Sequence, residues 1–287
     1  MVSSVIVDEV TEFRSAVLGV EIDWVRTDLG FGPAFMVSSG DDRVAVSNGG
    51  LDFSTILNTE IPDDRIALQL TTAAPDGMSW CGSEATSNEL RLYRPDLPVM
   101  GKVPAGARAA TLVAWVEPLG EVAGALGLGD LTFPARTDAL PSTDEVRSLL
   151  ADLALIGEQP SLLDSEGGTT RLLEATARAI ASIGGVRSTE HCRGFDSRSI
   201  VSACIDFAES TGENQPSISQ LCRVAHASES RLRQAFVEVL GVPPIQYFQI
   251  RVLSILRNEL LAADPAISTV TREATSLGLS QLGRVAG

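Results

Sequence analysis

Between Glu21 and Val116 the apolar positions fall in short runs rich in β-branched and aromatic residues: EIDWVR, AFMVSS, RVAVSN, RIALQLTT, ELRLYR and ATLVAWV. Turn signals separate them, among them Gly40-Asp41-Asp42, Asn48-Gly49-Gly50 and Pro75-Asp76-Gly77. Short strands punctuated in this way predict an antiparallel sandwich or barrel. Ahead of them, DEVTEFRSAVL at 8–18 has the spacing of a short amphipathic helix. Behind them the period lengthens to that of helices. Residues 143–157 and 161–184 read as two, the first with an apolar side of Leu149, Leu150, Leu153 and Leu155, the second capped by Ser161 or Ser165.

The polar, glycine-containing stretch at 185–199 reads as a linker. The pattern after it is helical throughout, over 197–210, 217–225, 228–240, 244–262, 267–276 and a stub from Ser280. The most informative piece is SISQLCRVAHASESRLRQAFVEVLGVPP at 217–244. Ser217 is a fitting N-cap for a first short helix with Leu221, Val224 and Ala225 on one face. After a break at His226-Ala227-Ser228, Ser228 caps a second helix that buries Leu232, Ala235, Phe236 and Val239. Gly241 then closes that helix, and Pro243-Pro244 open the next. Two capped helices joined by a tight turn form a helix-turn-helix, whose second helix enters the DNA major groove. On that helix Ser230, Arg233 and Gln234 project from one side at i, i+3 and i+4. Arg pairs bidentately with guanine and Gln with adenine. Arg231 and Arg223 flank this face and suit phosphates. Spacing alone leaves a second reading open, since any small helical bundle with a solvated Arg face shows the same pattern.

Charge changes the picture in one respect. The 287 residues carry a formal net charge of −15, which taken alone argues against nucleic-acid binding. The acidity is uneven. Residues 1–195 carry 14 basic and 28 acidic side chains, while from 196 onward eight Arg face nine Asp and Glu. The nearly neutral end is therefore the one with the helix-turn-helix pattern. Hydrophobic content is 44%, enough for a core, and no apolar run reaches the roughly 18 residues of a membrane-spanning helix. The start of the chain has no basic region of the kind that opens a secretory signal. Cys81, Cys192, Cys204 and Cys222 are widely spaced, as reduced cytosolic thiols are.

The pattern recurs: STVTREATSLGLSQLGRVAG repeats helix, Gly-centred turn and capped helix, and PPIQYFQIRVLSILRNELLAADP joins the copies as one long helix. In this the chain resembles the AraC/XylS family of transcriptional regulators. The resemblance lies on Leu221, Ala225, Ser228, Leu232 and Phe236 in the first unit, and on GVPPIQY with Leu253 and Arg257 in the connection. Ala274, Gly278 and LGR at 282–284 carry it in the second. More weakly, the front half resembles the cupin-like sensor domain of actinobacterial members, through its strand texture and VDEVTEFRSAV.

The resemblance implies a cytoplasmic transcription factor. It would bind double-stranded DNA, form a homodimer and respond to a small-molecule effector. Base-reading positions fall on Ser230, Arg233 and Gln234 in the first unit and on Gln281 and Arg284 in the second. The chain departs from the family in several places. Members run on past Gly287 to finish the second recognition helix and add a last one, so the second unit is expected to be truncated. Leu279 and Val285 stand where aromatic residues are usual, Val252 where a basic residue is common, and Leu256 where a small Ala is. Leu for Ala at a tight contact costs about 1–3 kcal/mol by overpacking. His226 stands where Gly is frequent, at a position that favours positive φ; a strained turn residue outweighs a pH switch or base contact there.

No enzyme is expected. His191 and His226 both lie outside the β region, so it offers no imidazole for a metal cluster or a Ser-His-Asp or Cys-His arrangement. MSWCG at 78–82 resembles a nucleophile motif but has no base in its domain; Cys81 reads as a small buried hydrophobe. GALGLGD at 124–130 is Gly-rich without a following helix, and no phosphate loop is present. Asp41-Asp42 and Asp63-Asp64 read as solvated turn acids. Trp24, Phe35, Trp80 and Tyr93 are candidate walls of an apolar ligand pocket, with ordinary core the alternative. The expectation is thus an α+β protein without cofactor or metal. It has a cupin-like antiparallel β domain at 1–187 with flanking helices at 143–184, a linker at 188–195 and an all-α tandem helix-turn-helix domain at 196–287. The alternative is a dimerisation or ligand-binding protein that does not bind DNA.

Overall fold

A computed structural model describes residues 3–7, 17, 19–20, 22–28, 32–95, 98–133, 139–165, 167–184, 193–212, 214–262 and 269–279. The chain divides into two compact units, one from the N-terminus to His191 and one from Cys192 onward, the segment Val25–Asp28 grouping with the second.

The strands form two antiparallel sheets. β1 (Ser3–Val7), β3 (Ala34–Gly40), β4 (Val44–Leu51), β11 (Arg108–Trp115), β6 (Arg65–Ala73) and β9 (Glu89–Tyr93) form a six-stranded sheet in that spatial order. β2 (Asp23–Arg26), β5 (Thr55–Thr59), β10 (Val99–Val103), β7 (Ser79–Trp80) and β8 (Ser83–Glu84) form the other. Alternation along the strands of the larger sheet feeds two cores, since successive side chains point to opposite faces. On β11, Ala110, Leu112 and Ala114 face one way and join Val44, Val46, Ile66, Leu68, Leu90 and Leu92. This face is covered by α1 (Val116–Ala125), α2 (Asp144–Glu158) and α3 (Gly168–Ile183), which supply Leu119, Leu149, Leu153, Leu173 and Ile180. On the opposite face Val113 joins Ala34, Met36, Leu57, Trp80, Tyr93 and Val103 in a core between the two sheets. The result is three layers: helices, six-stranded sheet, five-stranded sheet.

Several expectations change. Asn48, Gly49 and Gly50 are not a turn but the body of β4, paired with β3 and β11. The glycines are there for close approach: a Cβ on Gly49 would lie 2.5 Å from Phe35 O, and one on Gly50 would strike the Arg108 side chain. α1 was not expected; it continues β11 without a turn and without a side-chain cap. α2 buries Val146, Leu149, Leu153 and Ile156, leaving Leu155 48% exposed, because Ile156 rather than Leu155 falls on the 3.6-residue stripe. A short 3-10 turn at Pro160–Asp164 precedes α3, whose cap is Gly167 at φ 75° rather than Ser161 or Ser165. Asp41 is not a solvated turn acid. It accepts from Arg43 Nη2 (2.8 Å) and from Thr169 Oγ1 (2.9 Å) at the start of α3, while Arg43 Nη2 also donates to Thr169 Oγ1 (2.7 Å). This clamp ties the β3–β4 turn to α3. The expected helix at 8–18 lies outside the described residues, apart from Val17.

The second unit is helical: α4 (Arg193–Thr211), α5 (Ile218–Val224), α6 (Glu229–Leu240), α7 (Pro244–Ala262) and α8 (Val270–Ser276). α4 begins at Arg193, inside the stretch expected as linker, while 188–192 lie outside the described residues. Phe236 of α6 meets Tyr247 and Phe248 of α7 with ring centroids 5.8 and 6.1 Å apart, in edge-on and tilted geometries that aromatic pairs favour. Pro244 opens α7 after Gly241 ends α6 in the left-handed conformation at φ 74°, and the chain bends by 51° between the two helices. Among the described residues no single helix is long and apolar enough to cross a membrane.

Candidate nucleic-acid interface

The first helix-turn-helix is built from its caps inward. Ser217 Oγ accepts from Gln220 N, and the Gln220 side chain accepts from Ser217 N (2.8 Å), a complete capping box. Leu221, at 0% exposure, anchors α5. Its end is a Schellman closure: Ala227 N donates to Cys222 O (3.0 Å) and His226 N to Arg223 O (3.4 Å), with His226 at φ 49°. The left-handed residue is what turns the chain tightly enough for Ser228 to cap α6, its Oγ accepting from Arg231 N at 3.3 Å. Leu232, Ala235, Phe236, Val239 and Leu240 are buried on the inner side of α6.

The outer side carries the expected row. Ser230, Arg233 and Gln234 are exposed, and Val237, 50% exposed, extends the row to i+7. Val237 escaped the sequence reading because apolar residues on helices default to the core; its one-turn offset from Arg233 was the available signal. Arg223 is exposed on α5 near the turn. Arg233 is bound within its own helix, with Nε and Nη2 donating to Glu229 Oε1 at 3.0 and 2.7 Å.

Arg231 is placed differently from the expectation of a phosphate ligand. Its Nη2 donates to Ser197 Oγ of α4 (2.9 Å), and its Nη1 lies 3.9 Å from Glu238 Oε2, to which Ser197 Oγ also donates (2.9 Å). Arg231 points from the first turn of α6 back toward α4, where a buried hydroxyl and a carboxylate satisfy it. Gln281 and Arg284 lie outside the described residues.

The second unit repeats the first turn. Leu279 N donates to Ala274 O (2.8 Å) and Gly278 N to Thr275 O (3.1 Å), with Gly278 at φ 81°. Gly278 thus occupies the position that His226 holds in the first unit. Ala274 and Leu279 pack with Val252 and Leu256 of α7, so these two residues of the long helix form the seat of α8.

In the β unit a cavity of about 60 Å³ lies between the sheets. Trp24 and Trp80 line it, with Met36, Leu57, Gln69 and Arg108. Phe35 and Tyr93 do not. Phe35 alternates away from the Met36 side of β3 and stacks under the Arg108 guanidinium at 5.1 Å. Tyr93 stands one layer back, its hydroxyl donating to Gln69 Oε1 (3.0 Å) and its ring edge-on to Trp80 at 6.5 Å. Trp80 is buried, and among the described residues its Nε1–H has no hydrogen-bond partner. Cys81 is buried beside this core, as expected of a small hydrophobe. Burial, with Cys222 and Asp206 nearby, pushes the Cys204 thiol up to about 12.

This chain therefore combines a two-sheet α+β unit with a helical unit that has helix-turn-helix geometry. No family model matches it. An 88-residue stretch is 32% identical to the probable thc operon regulatory protein of Rhodococcus erythropolis, taking in 31% of this chain; the chain spans about a quarter (26%) of that protein's length. Among solved structures it is similar to the AraC-like transcriptional activator CuxR, at 17% identity and a TM-score of 0.43 over 93% of this chain and 97% of that one. It is also similar to ToxT of Vibrio cholerae, at 10% identity and a TM-score of 0.32 over 82% of this chain and 87% of that one.

Proposed function

We propose that this protein is a transcription regulator that binds DNA sequence-specifically through α6. One observation carries the reading: Ser230, Arg233, Gln234 and Val237 form one exposed row on the second helix of a fully capped helix-turn-helix. Arg suits guanine, Gln suits adenine, and Val suits the thymine methyl group. Arg223 is the phosphate contact of this unit. Gln281 and Arg284 are the corresponding residues proposed for the second. A regulator of this kind works in the cytoplasm, as a homodimer, and a small effector would sit in the inter-sheet cavity, against Trp24 and Trp80. At about 60 Å³ the cavity is small, which suits a small effector.

A second reading, a partner-binding protein that leaves DNA alone, is favoured by one observation. Arg231, Arg233 and Arg251 are all engaged by carboxylates of their own unit. The two readings separate in one experiment. The purified chain is titrated against labelled DNA from around its own gene by fluorescence anisotropy, at about 50 and 200 mM salt with random DNA as competitor. Binding that survives competitor, and that Arg233→Ala shifts in sequence preference, is the expected result. No binding at the lower salt by a folded protein overturns the DNA reading.

A further inference from the structure

A second cavity of the β unit lies away from the inter-sheet one, where α2, the turn at Pro160–Asp164 and the first turns of α3 meet. It has a volume of about 270 Å³. Its walls are mixed, with Leu155, Ile156, Leu162 and Leu172 on one part and Asp152 and Arg171 on another. Asp152 is half-buried, burial raises its carboxyl pKa, and among the described residues no hydrogen bond or ion pair compensates it. Arg171 is exposed and donates to Ser165 Oγ at 3.2 Å. A partly desolvated carboxylate with no fixed partner, bordering a cavity, is a candidate ligand contact. Leu155, 48% exposed, adds apolar surface that the fold itself does not use.

We infer that this cavity binds a free aliphatic α-amino acid, with its ammonium on Asp152, its carboxylate on Arg171 and its side chain against Leu155, Ile156, Leu162 and Leu172. The pair of opposite charges selects a zwitterion. An amine alone offers nothing to Arg171, and a carboxylic acid alone offers nothing to Asp152. Size permits it: a cavity of about 270 Å³ has room for a molecule as small as leucine. The inference is independent of DNA binding, because its readout is the ligand.

The test is calorimetric titration of the full chain with L-leucine, with 3-methylbutylamine (leucine without its carboxylate) and with 4-methylpentanoate (leucine without its ammonium). Leucine is expected to bind, each fragment at least about tenfold more weakly. Asp152→Asn and Arg171→Gln are each expected to weaken leucine at least about tenfold while leaving the thermal melt in place. The inference is overturned if leucine fails to bind at about 10 mM, if either fragment matches it, or if Asp152→Asn binds it as the parent does. Should Asp152→Asn fail to fold, the fragment series on the parent chain decides alone.

Discussion

Arg233 spends two of its donors on a single oxygen of Glu229, one turn earlier on α6. The pair sits on the surface proposed to meet DNA, with side-chain exposures of 51% and 57%. An exposed pair at i, i+4 contributes only about 0.3–0.5 kcal/mol, so DNA can take the guanidinium from the carboxylate at little cost. Glu229 still places a negative charge beside every phosphate that approaches. Glu229→Gln is expected to tighten binding to specific and random DNA alike, several-fold at about 50 mM salt and less at about 200 mM, and so to narrow the gap between them. Parallel anisotropy titrations with both DNAs check this; equal or weaker binding contradicts it.

The two neighbouring arginines of α6 are expected to separate cleanly. Arg231→Ala leaves buried Ser197 and half-buried Glu238 without their cation, and should cost about 1–3 kcal/mol in urea unfolding. Arg233→Ala removes only an exposed pair and should cost under about 0.5 kcal/mol. DNA binding should show the reverse order once both variants are measured well below their melting temperatures.

His226 and Gly278 close equivalent turns, which turns the first into a measurable strain. A left-handed non-glycine residue costs about 1–2 kcal/mol, and glycine returns about 0.4–1 kcal/mol through the unfolded chain. His226→Gly should therefore range from neutral to about 1.6 kcal/mol stabilising, and His226→Val should destabilise by at least about 1 kcal/mol. Unchanged DNA affinity in His226→Gly would assign the residue to the turn alone; a loss would make it a contact.

The clamp at Asp41 predicts a particular acid sensitivity. Burial pushes its carboxyl up, but hydrogen bonds from Arg43, Val44 and Thr169 outweigh this and hold it below its ordinary value of 3.8. A lowered folded value stabilises the fold fully above the ordinary carboxylate range, and this is lost as pH falls through the folded value. Asp41→Asn should thus be less stable than the parent near pH 7, the difference closing as pH drops below about 4. Urea midpoints across that range give the answer.

These effects differ in how far the sequence announces them. The outer row of α6 is local: a cap, a period and a closing glycine within a few turns specify it, and Ser230, Arg233 and Gln234 lie along it. The fate of Arg231 was not legible, because Ser197 lies 34 positions away on another helix. The same holds in the β unit. The long strands β3, β4, β6 and β11 were visible as β-branched runs, whereas β5 and β10 are five-residue strands whose identity rests on their antiparallel register. α1 was hidden because it needs only Leu119 and Ala123 for its buried face and has no capping side chain. Trp24 and Trp80 line the cavity while Phe35 and Tyr93 do not, since composition marks aromatic strands but only pairing fixes which side each ring takes.

Gly49 and Gly50 both border the cavity between the sheets, and both sit where neighbouring strands crowd the backbone. The room for a ligand is thus framed partly by side chains that are missing. Every amino-acid replacement of a glycine adds at least a methyl group, so substitution here can crowd this cavity but cannot enlarge it along this strand. A side chain at either position would press on Phe35 or Arg108 before it reached any ligand, so this edge of the cavity is held by the strand pairing itself.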